Sequence, residues 1–323
     1  MAETNPIYES TSVTGMLARA AHTRMLLISL ACVVAGTGAA ALRGNMELLP
    51  ATLCLIFAVL SQLSGSFWYC YNDMKARHED LDDDDAQSDI DSIPKATVLR
   101  EAAIGLLIMD AIIGLALLTM AGFWVLLVGA AVAVTVFFAF AGPRPAIRTP
   151  WGVLTTFILF GPIAVIGTTL TQSGHEANRL LNFYDVSPAL YIAVVMGLMA
   201  VNCNITHNIF HIEHDGSYGR NTLPMKGRKG LAKALFFGNG VVWTVVIALL
   251  CVAQNLPDWW MYMPVPAIAL AVNCRLGFLL DNPKADSGKM QLAVNLNMLV
   301  MAVAILITSL FIGAPDDSAL TIF

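Results

Sequence analysis

Nine apolar runs, each close to the length of a membrane span, constrain this chain more than any other feature. They fall at roughly 24–42, 48–70, 102–119, 123–141, 151–171, 187–205, 232–253, 259–276 and 291–313 of 323 residues. About 20 apolar residues in a helix cross the hydrocarbon core. Lipid offers no partner to a backbone N–H or C=O, so such runs must be helical. Composition agrees, with 57% hydrophobic residues, 13% charged residues and a mean hydropathy of +0.68. That much apolar surface excludes a soluble domain, and no alternating outward-apolar strands suggest a barrel. The expectation is an all-α, polytopic membrane protein of about nine helices, folded as a single membrane domain over 1–323. Several runs are rich in glycine and alanine, as close helix packing in lipid requires.

Basic residues set the expected orientation. With the N-terminus inside, sixteen of the eighteen Lys and Arg fall in inside segments, and only Arg43 and Arg179 outside. The positive-inside rule then makes that side cytoplasmic. This reading places the protein in the cell (inner) membrane as a multi-pass chain. Residues 1–20 are read as a cytoplasmic tail with a short interfacial helix, since they lack a basic n-region and a cleavage site. The net charge of −5 mostly reflects one acidic loop; the expected partners are the bilayer and small molecules, not nucleic acid. Six cysteines are scattered singly without a CxxC pair, so they are read as small packing residues.

Two long polar intervals, 72–100 and 206–231, fall on the cytoplasmic side. They follow the second and sixth spans, a spacing that hints at two related halves. The first opens with YCYNDMKARHED, where the apolar run ends and its helix is expected to continue. Asn72, Asp73, His78, Glu79 and Asp80 stand there at helical spacing and offer oxygens to a divalent cation. Asp82 to Asp85, four acids in a row, read as a solvated loop. In the second interval, Asn204, His207 or Asn208, His211 and Asp215 share one helix face. Turn residues from Gly216 to Pro224 follow, with Arg220, Lys226, Arg228 and Lys229 among and beyond them. His207, His211 and His214 also fit a transition-metal face, but the shell would need Asp215 to complete it. Asn204-Ile205-Thr206 matches a glycosylation sequon and is discounted at an inner helix end.

These segments resemble the UbiA superfamily of intramembrane prenyltransferases. NDMKARHED looks like its first Asp-rich motif, NDxxDxxxD, and NIFHIEHDGSYGRNTLP like its second, NxxDxxxDxxxGxxTL. Between them, Gly142, Pro143, Pro145, Phe160, Gly161, Ala164, Val165, Gly167, Thr168, Gln172 and Gly174 resemble the 1,4-dihydroxy-2-naphthoate polyprenyltransferase branch. The resemblance covers nearly the whole chain. It implies a UbiA-type bundle and transfer of a polyprenyl group from its diphosphate to an aromatic acceptor. In that branch the acceptor is dihydroxynaphthoate, on the way to menaquinone. It also implies two Mg²⁺ ions bridging both motifs and the diphosphate, with Asp73, Asp80 and Asp215 as catalytic and metal-binding residues. Asn72, Asn208, Arg144, Arg148, Arg220, Lys226 and Lys229 are then the candidates for substrate contacts.

The motifs depart from that pattern at two carboxylates. The middle Asp of the first is Ala76, and the first Asp of the second is His211, preceded by Phe210 rather than a base. Mg²⁺ prefers hard oxygens, so an imidazole is no equivalent replacement. His211 is carried as a metal-ligand candidate, with Mn²⁺ the alternative to Mg²⁺ because it tolerates nitrogen. Glu79, Asp82 or Glu213 could compensate. A paralogue that binds isoprenoid or quinone lipids without transfer, and one of altered isoprenoid chemistry such as terpene cyclisation, are the rival readings.

Overall fold

The computed structural model describes residues 12–79, 92–121, 129, 146–172, 183–217, 220–256, 260, 263–282 and 284–312. All regular structure among these is helical. A short helix α1 (Val13–Ala20) and a 3₁₀ turn precede α2 (Leu26–Ala41). The chain then forms α3 (Leu48–Glu79), α4 (Ser92–Ala121), α5 (Gly152–Gln172), α6 (Phe183–Phe210) and α7 (Ile212–Ser217). It ends with α8 (Lys229–Ala253), α9 (Pro264–Leu279) and α10 (Ser287–Ile312).

Seven helical stretches are long and apolar enough to cross a membrane, and α9 is a shorter apolar helix. They account for eight of the nine expected runs. The fourth run, 123–141, lies almost wholly outside the described residues, as do Asp80, Asp82 to Asp85, Arg144 and Arg179. The apolar run of α3 does continue into the first polar interval, reaching Glu79.

Helix α6 is the centre of the bundle, packed against α2, α5, α8 and α10. Ile192, Val195, Met196, Ala200 and Cys203 along it are fully or almost fully buried. Small residues permit the approach. A Cβ on Gly161 of α5 would meet the Ala193 carbonyl of α6 at 2.5 Å. One on Gly36 of α2 would meet Thr168 Cβ at 2.7 Å. Thr169 Oγ1 donates to the Gly36 carbonyl at 3.0 Å across the same contact. Within α5, residues Leu159–Ile166 widen into a π-helical segment around Pro162. Proline has no N–H for the helical ladder, which accounts for the local change of pitch.

Buried amides lock α6 to α8 and α9. Asn202 Nδ2 donates to Asn273 Oδ1 and to the Phe236 carbonyl, both at 2.9 Å. Asn239 Nδ2 donates back to Asn202 Oδ1 at 2.7 Å. In a medium without water, such groups persist only when they satisfy one another.

Helix α1 falls within residues 1–20, where a short interfacial helix was expected. Ser12 caps it by accepting from the Gly15 amide at 3.1 Å. Met16 and Ala20, one turn apart, are fully buried against Phe67, Cys70 and Met74 of α3 and Leu99 and Ala103 of α4. This packing seats α1 beside the end of α3 that carries Asp73.

Candidate active site

Asp73 stands in the last turns of α3, and Tyr69, one turn earlier, shares its face. Asp215 stands in α7, which continues α6 past a turn at His211. The helical pattern survives that turn, because the Asp215 amide donates to the His211 carbonyl at 2.7 Å. Asp73 is 7% exposed, Asp215 2% and Arg220 6%. Charges this buried persist only when paired. Arg220 pairs with both: Nη1 donates to Asp215 Oδ1 at 2.8 Å, and Nη2 donates to Asp73 Oδ2. The guanidinium carbon lies 4.7 Å from the centroid of the Tyr69 ring. Arg148 Nη2 donates to the other Asp73 oxygen at 3.4 Å, and Thr222 Oγ1 to Asp215 Oδ2 at 3.4 Å.

The segment after α7 is folded so as to deliver Arg220 inward. The Arg220 amide donates to the Asp215 carbonyl at 3.0 Å, returning the chain over its own helix end. The Asn221 amide donates to the Arg148 carbonyl at 2.9 Å. Arg228 Nη2 holds Asn221 Oδ1 at 2.7 Å, and its Nε donates to the Met225 carbonyl at 3.1 Å. Gly227 at φ +79° and Lys226 at φ +54° complete the reversal before α8; the first is the ordinary residue for that backbone. Burial opposes the charged form of Arg220, but Tyr69, Asp73 and the hydrogen bonds to Asp73 and Asp215 outweigh it. Its pKa is therefore held above the ordinary arginine value, and it remains a fixed cation.

The other expected site residues are placed as follows. Asn72 is half-buried next to Asp73. Asn208 is buried and donates to Asn204 Oδ1 at 2.9 Å on its own helix. His211 Nδ1 lies 2.8 Å from the His207 carbonyl, and the two imidazoles stack with centroids 4.2 Å apart. Lys226 is exposed on the turn. Lys229 sits 3.4 Å from Asp281, on a carboxylate that also receives Lys233. Among the described residues, no three His, Cys, Asp or Glu side chains are arranged to hold a metal ion. The grouping instead consists of two carboxylates and two guanidiniums around one point.

Sequence reasoning missed Tyr69, Asn221 and Thr222. Tyr69 carried a signal, its spacing of four from Asp73. Thr222 carried one too, as the Thr of the second motif; Asn221 acts through a turn whose path no local pattern reveals.

The arrangement can bind an anion with several oxygens. Two guanidiniums meet at Asp73, and a guanidinium's parallel N–H donors match such an anion.

Comparison with known proteins gives the family. The profile of the UbiA prenyltransferase family matches residues 29–312. A 1,4-dihydroxy-2-naphthoate octaprenyltransferase of Mycobacterium tuberculosis (strain ATCC 25618 / H37Rv) is 28% identical over 252 residues, covering 78% of this chain and 82% of the relative. One from Bacillus subtilis (strain 168) is 25% identical over 182 residues, covering 56% and 54%. Among solved structures, a UbiA homologue from Archaeoglobus fulgidus bound to GPP and Mg²⁺ superposes with a TM-score of 0.63 at 13% identity, covering 91% of this chain and 99% of that one. An apo UbiA homologue from Aeropyrum pernix K1 gives 0.62 at 18% identity, covering 88% and 97%. The all-helical bundle, the two Asp-bearing segments at one end and the family match converge on one statement: this chain belongs to the UbiA prenyltransferase family.

Proposed function

We propose that the protein transfers a polyprenyl group from its diphosphate to an aromatic acceptor, 1,4-dihydroxy-2-naphthoate in menaquinone biosynthesis. The observation that carries this is the convergence of Asp73, Asp215, Arg148 and Arg220 at one end of an apolar bundle. In the reaction the allylic C1–O bond breaks and the diphosphate leaves with the electron pair. A ring carbon of the acceptor bonds to C1, and the ring loses a proton or, at a carboxylated carbon, carbon dioxide. Arg148 and Arg220 offset the charge that grows on the leaving diphosphate. The apolar helices hold the isoprenoid tail and keep water from the cation.

The donor set suits a divalent cation in part. Asp73 and Asp215 supply hard carboxylate oxygens, each with a second lone pair beyond its arginine or threonine contact. Ala76 supplies nothing, and His211 has already committed Nδ1 to a backbone carbonyl. When bound, Mg²⁺, or Mn²⁺, would polarise the diphosphate oxygens. The same departures favour the second reading, a relative that binds isoprenoid or quinone lipids without transfer.

In this reading the site faces the cytoplasm, with the N-terminus on that side of the inner membrane. The test is to place the purified protein in nanodiscs with a polyprenyl diphosphate, Mg²⁺ and dihydroxynaphthoate. Pyrophosphate release and prenylated product are then followed together. Product formation is the expected result; tail binding with no product or pyrophosphate would establish the lipid-binding reading instead.

A further inference from the structure

We propose that Gln62 and Asn204, with Ser66 between Gln62 and the carboxylates, form the pocket that receives the hydroxyl oxygens of the aromatic acceptor. The pocket lies inside the membrane, below the cluster of Asp73 and Asp215. The inference rests on the prenyl-transfer reading above and gives its acceptor a place.

Two helix faces define that place. Gln62, Ser66, Tyr69 and Asp73 stand at i, i+4, i+7 and i+11 along α3, so they share one face. Asn204, Asn208 and His211 share a face of α6, which α7 continues to Asp215. Asn204 precedes Asp215 by eleven residues, as Gln62 precedes Asp73. At the rise of a helix this puts Gln62 about 16 Å below Asp73 and Ser66 about 10 Å below it. Asn204 lies at a similar depth on the other wall. Arg220 joins the two faces at their upper ends through Asp73 and Asp215. Lower down, α3 packs mainly against α2, α4 and the end of α5, while α6 packs against α2, α5, α8 and α10. The two faces thus flank one space, with α2 and α5 on its sides.

The donors on these faces are uncommitted. Gln62 Oε1 accepts from Ser29 Oγ of α2 at 3.0 Å, and Asn204 Oδ1 accepts from Asn208 Nδ2 at 2.9 Å. Each bond holds the amide by its oxygen and leaves its NH₂ group to another partner. Among the described residues neither NH₂ group has one, nor does the hydroxyl of Ser66, a residue 9% exposed. The asparagines that hold helices together behave differently. Asn202, Asn239 and Asn273 all spend their NH₂ groups within the protein. A polar group inside a bilayer needs a partner, from the protein or from a ligand. Three donors without an acceptor call for a ligand that brings oxygens.

Of the two substrates, the aromatic acceptor brings them to this depth. In the transfer reading the diphosphate stays with Asp73 and Asp215, and the isoprenoid tail is hydrocarbon. A ring that presents its attacked carbon to the allylic C1 can direct its oxygens to Ser66, Gln62 and Asn204. These are positioning residues. They set which aromatic is accepted and how it lies, and no bond is made or broken at them.

The test uses the full-length protein in nanodiscs. It is titrated with 1,4-dihydroxy-2-naphthoate, kept reduced, and with 2-naphthoate, which has the carboxylate without the hydroxyls. Inorganic pyrophosphate with Mg²⁺ is titrated in parallel. Wild type should prefer the dihydroxy acid by at least about tenfold, because unpaired donors penalise the analogue. Gln62→Met and Asn204→Leu should each cut that preference to about twofold, with pyrophosphate affinity kept within about twofold. Gln62→Asn, which retains a donor, should recover part of the preference. A second measurement needs no variant. An azido derivative of the dihydroxy acid, photolysed on wild type, should label the segments around Gln62 or Asn204, and excess unmodified acid should protect them.

Equal affinity of wild type for the two acids, or labelling confined to other segments, would overturn the inference whether or not the variants fold. So would variants that keep the wild-type preference. Product formation without any preference would remove the pocket and leave the transferase reading intact. The expected preference and labelling without product would do the reverse.

Discussion

The backbone amide of Asn221 donates to the backbone carbonyl of Arg148 at 2.9 Å, joining segments more than seventy residues apart. This bond ties the turn after α7 to a 3₁₀ turn, Ala146–Arg148, before α5. Both guanidiniums therefore reach Asp73 from a shared support. A backbone bond cannot be removed by changing a side chain, but its brace can. Arg228 holds Asn221 from the other side at 2.7 Å. Arg228→Ala should loosen the support without touching the cluster. The expected result is a fall in pyrophosphate affinity of several-fold with little change in thermal stability. Unchanged affinity would show that the turn holds its shape without Arg228.

Asp73 and Asp215 should both be required for transfer, but alanine is the wrong probe. Removing either carboxylate leaves a buried guanidinium short of a partner, which costs about 3–5 kcal/mol of stability. Asparagine keeps the volume and one hydrogen-bond acceptor. Asp73→Asn and Asp215→Asn should lower the transfer rate by at least about a hundredfold, the scale seen when a preorganised charge is removed from a polar site. Each should remain folded by thermal unfolding in detergent. Full activity in either would remove that carboxylate from the mechanism.

Tyr69 separates packing from polarity. Its ring face meets Arg220. Tyr69→Phe should leave pyrophosphate affinity unchanged within about twofold. Tyr69→Leu removes the face and with it about 0.5–2 kcal/mol of cation–π attraction. Equal behaviour of the two variants in a binding titration would dismiss that contact.

Lys229 tests a residue that the sequence offered as a substrate contact. Here it shares the Asp281 carboxylate with Lys233 on the surface, between α8 and the turn after α9. Lys233 in the first place, with Lys229, holds Asp281 below the usual carboxylate range. A depressed carboxylate contributes stability above its unfolded pKa, and that contribution fades as pH falls through the folded value. The pair is exposed, so it is worth only about 0–1 kcal/mol. Lys229→Ala should leave diphosphate affinity unaltered at neutral pH. A drop of tenfold would bring Lys229 back into the site.

Much of this architecture was legible because hydropathy is a local property. A run such as 187–205 must be helical in lipid whatever surrounds it, and α6 is. Asp73 and Asp215 were legible for a related reason: they sit at the ends of those runs at helical spacing. Arg220 was one of several bases in its interval, and nothing local distinguished it from Lys226 or Lys229. Which of them turns inward depends on the bond from Asn221 to Arg148, a contact between distant segments. The amide knot of Asn202, Asn239 and Asn273 was hidden likewise, since each asparagine lies in a different apolar run. Their pairing exists only once α6, α8 and α9 are packed.

The orientation can be read directly by thiol labelling. On the nine-span reading, sixteen of eighteen basic residues sort to the side that carries both Asp-bearing intervals, and the positive-inside rule would make that side cytoplasmic. Cysteines introduced by Ser88→Cys and Ser217→Cys should resist a membrane-impermeant thiol reagent added outside oriented vesicles, and react once the membrane is opened. Background should be low, because five of the six native cysteines are buried and Cys274 is half-buried. Ready labelling of both variants from outside would invert the protein, and the acceptor would then have to arrive from the other face of the membrane.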